Sequence, residues 1–384
     1  MTSGAGLATV LALLLATGWA ANHFSALIPV YGVREDLSTA LLDGAFGLYA
    51  LGLLPGLFGG GALSDRFGRP AVVLPGATIA ALGTVLLMVD HVELGVLLGR
   101  LVVGQGAGLT FGAGTAWAAD LGATRGTVLA GVFLTSGFGI GPVVSGVLAE
   151  SAPAPLTTPY VLSLVVSLVA VAAAVLVAVP ATPRTDPSTR PAPLPHHDAR
   201  TALAWSGPVG ILVFASATTT LVPLPARLPE EYDGPVLVGV AAALTLFTGI
   251  AVQALARRVA GGARTGVLGA GCAALGWVLA AAGGSTIGLP LFVGCCLLLG
   301  SAYGLCLREG LLDVETLAPP AKRGTLTGVF YVLTYLGFGL PLLLTAVQPT
   351  TGDVAPFVVL AAIAAAVAVL RVGQLRRGHP GRLA

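Results

Sequence analysis

The chain has 384 residues, of which 55% are hydrophobic and 9% are charged, and its formal net charge is +2. Soluble domains carry about a quarter of their residues as charged ones, so this composition excludes an ordinary soluble domain of this length. The small net charge argues against a nucleic-acid partner. The composition therefore predicts a protein embedded in a lipid bilayer.

Apolar runs long enough to cross a bilayer recur along the whole chain, because about twenty apolar residues span its hydrocarbon core as a helix. The first run has no Lys or Arg before it and is longer than a signal-peptide core, so we expect it to be a retained membrane helix. The twelve runs lie near 6–30, 41–62, 71–89, 94–118, 126–149, 159–180, 204–225, 235–256, 266–283, 287–308, 324–347 and 355–373. We predict an all-α membrane protein with twelve transmembrane helices.

A short charged loop joins the second and third runs. Residues 61–70 read GALSDRFGRP, which predicts a tight hairpin between two membrane helices. This stretch resembles the loop signature of the major facilitator superfamily of secondary transporters, G-x-L-x-D-R-x-G-R followed by a basic residue. Only Pro70 departs from it, at the basic position. The resemblance implies two six-helix bundles related by a pseudo-twofold axis.

The same resemblance implies a conformational latch in this loop. Asp65 would dock on the N-terminus of the eleventh helix near Gly324, because a helix N-terminus carries partial positive charge, and this would stabilise the outward-open state. We also expect Arg69 to pair with Asp120, at the cytoplasmic end of the fourth run. The alternative is a plain cytoplasmic loop with one incidental acid. The proposed latch residues are Gly61, Asp65, Arg66, Gly68, Arg69 and Asp120.

Arg100 lies about two turns inside the fourth run. An arginine there costs roughly 2.5 kcal/mol or more, so it should face the bundle interior and have a partner. The segment resembles the superfamily's fourth-helix motif R-x-x-Q-G-x-G-A, with Val103 at the glutamine position. The resemblance links Arg100 to substrate or proton handling. The alternative is that its side chain snorkels to the outer headgroups.

The fifth run carries a glycine motif around Pro142. The run resembles G-x-x-x-G-P-x-x-G-G, which is seen chiefly in exporters of the superfamily and implies a drug/proton-antiporter-like subgroup. Pro142 removes a hydrogen bond to the Phe138 carbonyl and is expected to bend the helix, which in this fold contacts the eighth. Generic glycine packing is the alternative. The matching residues are Gly137, Gly141, Pro142 and Gly146, with Ser145 where a glycine is usual.

Few titratable groups lie in or beside a run. Asp43 is near the outer mouth of the second run, and Glu309 and Asp313 are near the inner end of the tenth. No carboxylate falls at mid-membrane, which argues against ordinary carboxylate coupling. His23 is the alternative proton carrier, since histidine titrates near neutral pH; a lone histidine can equally be a hydrogen-bonded packing residue.

Polar side chains that could line a cavity occur in several runs. Tyr331 and Tyr335 are one turn apart and share a face, and aromatic hydroxyl groups in an apolar cavity suit amphipathic organic molecules. Helix-packing tyrosines are the alternative. The candidates are Asn22, His23, Thr110, Tyr303, Thr327, Tyr331, Thr334 and Tyr335, besides the acids Asp43 and Glu309.

A proline-rich interruption from Ala181 to Ala199 divides the runs six and six. Short segments recur about 200 residues apart, since Gly104–Leu109 resembles Gly300–Leu305 and Arg125–Thr127 is repeated as Arg323–Thr325. We predict an N-terminal bundle over 1–180, a cytoplasmic linker over 181–203, a C-terminal bundle over 204–373 and a cytoplasmic tail over 374–384.

The basic residues set the orientation. With both termini in the cytoplasm, Arg34 and Arg227 alone fall on the outer side, and the other loop arginines, Arg371 among them, fall inside. All cysteines lie in apolar runs at spacings that match no metal or disulfide pattern, so we interpret them as small apolar side chains. They are Cys272, Cys295, Cys296 and Cys306.

The expected function is secondary active transport of a small organic molecule by alternating access, in the direction of export. An importer or facilitator of the same fold and a non-transporting membrane sensor are the alternatives. A membrane enzyme is disfavoured because the loop and tail histidines are scattered: His91, His196, His197 and His379. We expect no catalytic site, metal or cofactor beyond proton coupling, and a monomer in the bacterial plasma membrane whose partners are its substrate and the bilayer.

Overall fold

A computed structural model describes residues 3–177, 198–232, 234–258 and 264–379. These residues form helices, turns and short connections, without a strand. They fall into two compact units. The first holds the described residues up to 177 together with 234–243, and the second holds 198–232 and those from 244 onward.

The first unit contains six helices and the start of α8. The helices are α1 Ser3–Asn22, α2 Phe24–Arg34, α3 Thr39–Phe67, α4 Pro70–Val89, α5 Glu93–Ser151 and α6 Thr158–Leu176. The 59 residues of α5 would extend about 90 Å if straight, against a hydrocarbon core of about 30 Å. Ala123 leaves the helical conformation, with φ 46° and ψ −136°, and this kink separates the predicted fourth and fifth spans.

The second unit contains most of α8 and the helices on either side of it in the chain. They are α7 Ala199–Leu221, α8 Pro235–Arg258, α9 Thr265–Ala282, α10 Leu289–Leu317, α11 Arg323–Tyr335, α12 Leu340–Thr351 and α13 Ala355–Arg376. A 3₁₀ turn over Leu336–Gly339 joins α11 to α12.

The predicted fold class is confirmed. Within the described residues, eleven helical stretches are long and apolar enough to cross a membrane. Since α5 is kinked and long enough to cross twice, every predicted span has a helical counterpart. The segment 181–197 of the predicted linker lies outside the described residues.

Two predicted boundaries are wrong. Helix α7 begins at Ala199 rather than at 204, because the Asp198 carboxylate accepts a hydrogen bond from the Thr201 backbone N–H at 3.2 Å and caps it. This hydrogen bond lowers the pKa of Asp198. Helix α13 continues to Arg376 rather than ending at 373. Arg371, expected among the loop arginines, lies inside this helix and is buried.

Glycines let the helices of the first unit approach backbone to backbone. A Cβ atom at Gly56 of α3 would lie 2.7 Å from the Gln105 carbonyl oxygen and the Leu109 nitrogen of α5. A Cβ atom at Gly18 of α1 would lie 2.5 Å from the Leu134 carbonyl oxygen of α5. Both distances are too short for any side chain, so these two contacts require glycine, as is common where membrane helices pack.

Two carbonyl groups that a proline leaves without a helical N–H donor are bonded by a neighbouring helix instead. For the carbonyl of Phe138, inside the predicted fifth span, another partner is needed because the bilayer core offers no water. Pro142 leaves the Phe138 carbonyl of α5 without a donor, and Asn22 Nδ2 of α1 donates to it at 2.7 Å. Pro208 leaves the Ala204 carbonyl of α7 without a donor, and Gln374 Nε2 of α13 donates to it at 2.9 Å.

Candidate functional site

The charged loop is a hairpin of two residues. Helix α3 ends at Phe67, α4 begins at Pro70, and the Gly68 N–H donates to the Ser64 carbonyl oxygen at 3.0 Å. Gly68 has φ 95° and ψ 150°, a conformation that residues with a side chain rarely adopt. The turn therefore depends on glycine at this position.

We predict that Gly68→Ala destabilises the protein by about 1–3 kcal/mol through this backbone strain. Gly61→Ala is the matched control, because a Cβ atom at Gly61 meets nothing within 4 Å and the residue is helical. Thermal unfolding in detergent should show a lower Tm for the first variant and an equal or higher Tm for the second. Equal Tm values for both variants would contradict the argument.

Arg69 ties this hairpin to α5. Its Nη1 donates to Asp65 Oδ1 and to Ser64 Oγ, each at 2.6 Å, and its Nε donates to Asp120 Oδ2 at 2.9 Å. Partial burial alone would lower the pKa of Arg69, but the hydrogen bonds and charges of Asp120 and Asp65 raise it above its usual value. The pair expected between Arg69 and Asp120 is present, and Asp65 is bonded by the same guanidinium. Arg66 lies over the Phe67 ring, 5.1 Å from its centre.

Arg100 is completely buried in the first unit. Its Nη1 donates to the Ala21 carbonyl oxygen of α1 at 2.9 Å and its Nε to the Ala45 oxygen of α3 at 3.3 Å. Its Cζ lies 4.8 Å from the ring centres of both Phe24 and Tyr49. The snorkelling alternative is wrong in this structure, because the guanidinium bonds to carbonyl groups of two other helices of the bundle.

His23, between α1 and α2, is also completely buried and belongs to the same neighbourhood. Its ring meets Tyr160 edge-on with 4.9 Å between ring centres, and Arg100 acts on it electrostatically. The Tyr160 and Tyr31 hydroxyls are 3.0 Å apart, and the Tyr31 hydroxyl donates to the Leu87 carbonyl oxygen at 3.1 Å. Neither ring nitrogen of His23 has a hydrogen-bond partner among the residues that the structure describes. We call His23, Arg100, Tyr31, Tyr49 and Tyr160 the polar cluster.

The glycine motif of α5 faces two other helices. Cβ atoms at Gly137 and Gly141 would collide with α1, at Leu15 and Trp19. The motif also contacts the start of α8, where a Cβ atom at Gly239 would lie 2.5 Å from the Pro142 carbonyl oxygen. Asn22 of α1 bonds the carbonyl that Pro142 leaves free. The motif therefore joins α1, α5 and the first residues of α8 in one close contact.

The predicted tyrosines of the second unit form an aromatic cluster around Phe214. The Phe214 ring centre lies 4.7 Å from Tyr335, 4.9 Å from Phe338 and 5.7 Å from Tyr303. Tyr331 and Tyr335 share a face, with ring centres 6.5 Å apart. Phe214 and Phe338 have no polar atom to mark them in the sequence, so only the folded chain identifies them as part of this group.

The remaining candidates from the sequence are two acids and three threonines. Asp43 is buried in α3, and Glu309 forms an ion pair with Arg371 in the second unit. Three threonines donate to carbonyl groups of their own helices: Thr110, Thr327 and Thr334.

The family model described as Major Facilitator Superfamily matches residues 7–341. The chain belongs to the Major Facilitator Superfamily. It is therefore an integral membrane protein of a secondary transporter family, as the loop signature predicted. No curated protein matches its sequence.

Solved structures with the same fold include transporters of the POT family. A "peptide transporter POT in complex with sulfate" aligns with TM-score 0.82 at 14% identity, covering 98% of this chain and 95% of the other. A "POT family transporter in complex with 5-aminolevulinic acid" aligns with TM-score 0.79 at 13% identity, covering 97% and 96%. Likeness at this identity shows the fold alone, so the exporter subgroup predicted from α5 stays a proposal.

For this superfamily member, Asp65→Asn should leave folding intact and impair transport. The Asp65 side chain is 70% exposed, and exposed ion pairs contribute about 0–1 kcal/mol, so the variant should fold. Loss of the charge proposed to act as the latch should shift the protein toward inward-open states. Cysteine labelling from each membrane side measures the shift, with Asp36→Asn, at an exposed loop acid, as the control. Unchanged labelling with unchanged flux would contradict the latch.

Proposed function

We propose that this chain is a proton-coupled secondary transporter that exports a small organic molecule by alternating access. The observation that carries the proposal is the polar cluster of the first unit. An arginine and a histidine inside membrane-spanning helices are costly and in general mark substrate or proton pathways. The chain would work as a monomer in the bacterial plasma membrane, with both termini in the cytoplasm.

His23 is the proposed proton carrier. Its imidazole is completely buried. Its two nitrogens have no hydrogen-bond partner within the described ranges, so neither nitrogen is held by a packing hydrogen bond. Arg100, fixed by two carbonyl groups, places a permanent positive charge beside it. Such an imidazole can accept a proton in one conformational state and release it in another, when the fixed charge and water access change. This would replace the mid-membrane carboxylate that the sequence lacks.

The direction of transport rests on α5. Its glycine–proline motif, of the kind seen chiefly in exporters, makes close contacts with α1 and with the start of α8, which supports export. Import is the second candidate, because the similar structures named above are of POT family transporters. The aromatic cluster of the second unit supports an amphipathic substrate with an aromatic or apolar part.

Flux in proteoliposomes tests the proposal. Purified protein is reconstituted, a pH gradient of either sign is imposed, and uptake of amphipathic aromatic compounds, dipeptides and 5-aminolevulinic acid is measured. Export coupled to protons requires flux opposite to the proton gradient. Flux along the proton gradient would select the importer instead. Absence of flux for every compound, with the protein folded, would favour the sensor.

His23→Gln isolates the coupling step. Glutamine has polar atoms that can replace those of the imidazole but cannot titrate near neutral pH. We expect this variant to retain exchange of substrate across the membrane without a gradient and to lose stimulation by the gradient. Equal stimulation in the variant and the native protein would exclude His23 as the carrier.

A further inference from the structure

A second group of buried charges lies in the second unit. The sequence marks Glu309 and Asp313 as titratable groups, but their grouping with Arg371 was not predicted. Arg371 of α13 is 1% exposed. Its Nη2 donates to Glu309 Oε1 at 3.0 Å and also to Asp313 Oδ2, and its Nη1 donates to the Trp205 carbonyl oxygen at 3.1 Å. The two carboxylates are one turn apart on α10, so they present their oxygens to the same guanidinium nitrogen.

The surrounding helices are built to receive this group. The Thr265 hydroxyl of α9 donates to Glu309 Oε2, and the Arg371 Cζ lies 4.7 Å from the Trp205 ring centre of α7. A Cβ atom at Gly266 would lie 2.9 Å from both Arg371 Nε and Glu309 Cγ, so a glycine provides the space. Helices α7, α9, α10 and α13 therefore all contribute. Buried ion pairs add little net stability, so stability alone is a weak explanation for this arrangement.

The segment after α13 returns to this group and adds a titratable side chain. The His379 side chain is 3% exposed, and its Nε2 lies 3.1 Å from Asp313 Oδ1, the carboxylate oxygen that Arg371 does not use. The His379 and Trp205 ring centres are 4.5 Å apart, in an edge-on contact. One carboxylate thus joins a fixed guanidinium on one side and an imidazole on the other.

We propose that His379 and Asp313 form a proton-binding site of the second unit, whose occupancy controls docking of the C-terminal segment 377–379. When the imidazole carries the proton, the imidazolium forms an ion pair with Asp313 and the segment is held against α7 and α10. When that proton passes to water, the ion pair is lost, only a hydrogen bond from the neutral imidazole to the carboxylate remains, and the segment is released more readily. The charged groups facing the site are Asp313 and Glu309 of α10 and Arg371 of α13.

Tryptophan fluorescence of the full-length protein in detergent tests the site without any substrate. An imidazolium in contact with an indole quenches its emission, so the native protein should show a reversible one-proton step as the imidazole loses its proton. His379→Gln and Trp205→Phe should each abolish the step. His91→Gln is the matched control and should keep the step, since His91 contacts Tyr31 and Glu35.

Hydrogen exchange followed by mass spectrometry tests the docking. After correction for the chemical exchange rate, amides of residues 372–379 should exchange several-fold faster above the step than below it in the native protein. In His379→Gln this dependence on pH should be absent. No step in the native protein, a step that persists in His379→Gln, or exchange that does not change across the step would each overturn the proposal. Neither readout requires transport, so their failure is distinguishable from failure of the proposed function.

Discussion

Replacing Arg100 by lysine should lower transport at least ten-fold, while the same replacement at Arg257 should leave it unchanged. The Arg100 guanidinium bonds carbonyl oxygens of two different helices through Nε and Nη1 and lies between two aromatic rings. A lysine ammonium is a point charge on a flexible stem and cannot reproduce this planar arrangement. Arg257 is an exposed residue at the end of α8 and makes no comparable demand.

The magnitude follows from the bonds lost. Hydrogen bonds to charged groups contribute about 1.5–3 kcal/mol each, and about 1.4 kcal/mol corresponds to a factor of ten in rate. Since the same loss can destabilise the fold, initial flux must be divided by the amount of folded protein in each preparation. Thermal unfolding in detergent supplies that correction. Equal flux per folded molecule in the two variants would mean that Arg100 serves packing alone.

The helices and the charged hairpin could be predicted because their signals are local. Apolar runs near the bilayer length define the spans, and glycine, proline and three charges within ten residues define the loop before Pro70. The pairing of Arg69 with Asp120 followed from the topology that those signals imply. The kink of α5 at Ala123 lies in the gap between two predicted spans, although an alanine with φ 46° has no signature of its own.

The groups inside the units could not be predicted because their partners are distant in the chain. Arg371 lies in the last residues of the apolar run 355–373 and just before a basic tail, so the sequence groups it with the cytoplasmic charges. Its carboxylate partner Glu309 is 62 positions earlier. Nothing local to either residue indicates the other. A charge near the end of a span is ambiguous in this way, since the sequence does not tell whether its side chain faces the cytoplasm or a partner inside the bundle.

The start of α8 shows a second limit. A division into six and six spans treats α8 as part of the C-terminal bundle, yet residues up to 243 belong to the first unit. Contacts at Gly239 and Gly146 explain this, because at both positions only a glycine allows the backbones of α5 and α8 to meet. The glycine motif of α5 is visible in the sequence itself. That α8 packs against this motif was expected only from the resemblance.

Pro142→Ala should lower transport more than it lowers the amount of folded protein, and it should remove the need for Asn22. In the native protein the Phe138 carbonyl has no helical donor, and Asn22 Nδ2 bonds it at 2.7 Å. Alanine at 142 restores the backbone N–H, so the helix closes its own hydrogen bond and no longer depends on α1. A helix that must flex at this point would become stiffer.

A double-mutant cycle measures this dependence. Asn22→Ala alone should cost about 1 kcal/mol, toward the upper end for hydrogen bonds between membrane helices, because the carbonyl is left with no donor. In the Pro142→Ala background the same change should cost close to nothing, so the coupling free energy should also be about 1 kcal/mol. Tyr31→Phe is the control: Tyr31 bonds the Leu87 carbonyl, to which no proline is related, and should show no coupling.

The two readouts together separate a mechanical role from a structural one. If Pro142→Ala folds normally and flux per molecule falls, the interrupted hydrogen bond and its replacement by Asn22 serve the movement of α5 against α1. If flux falls only in step with the amount of folded protein, Pro142 is needed for assembly. If flux per molecule is normal while the coupling to Asn22 is present, the bond is real but the helix does not flex there during transport. Because alanine leaves the contacts of Gly137 and Gly141 with α1 in place, we expect the first of these results.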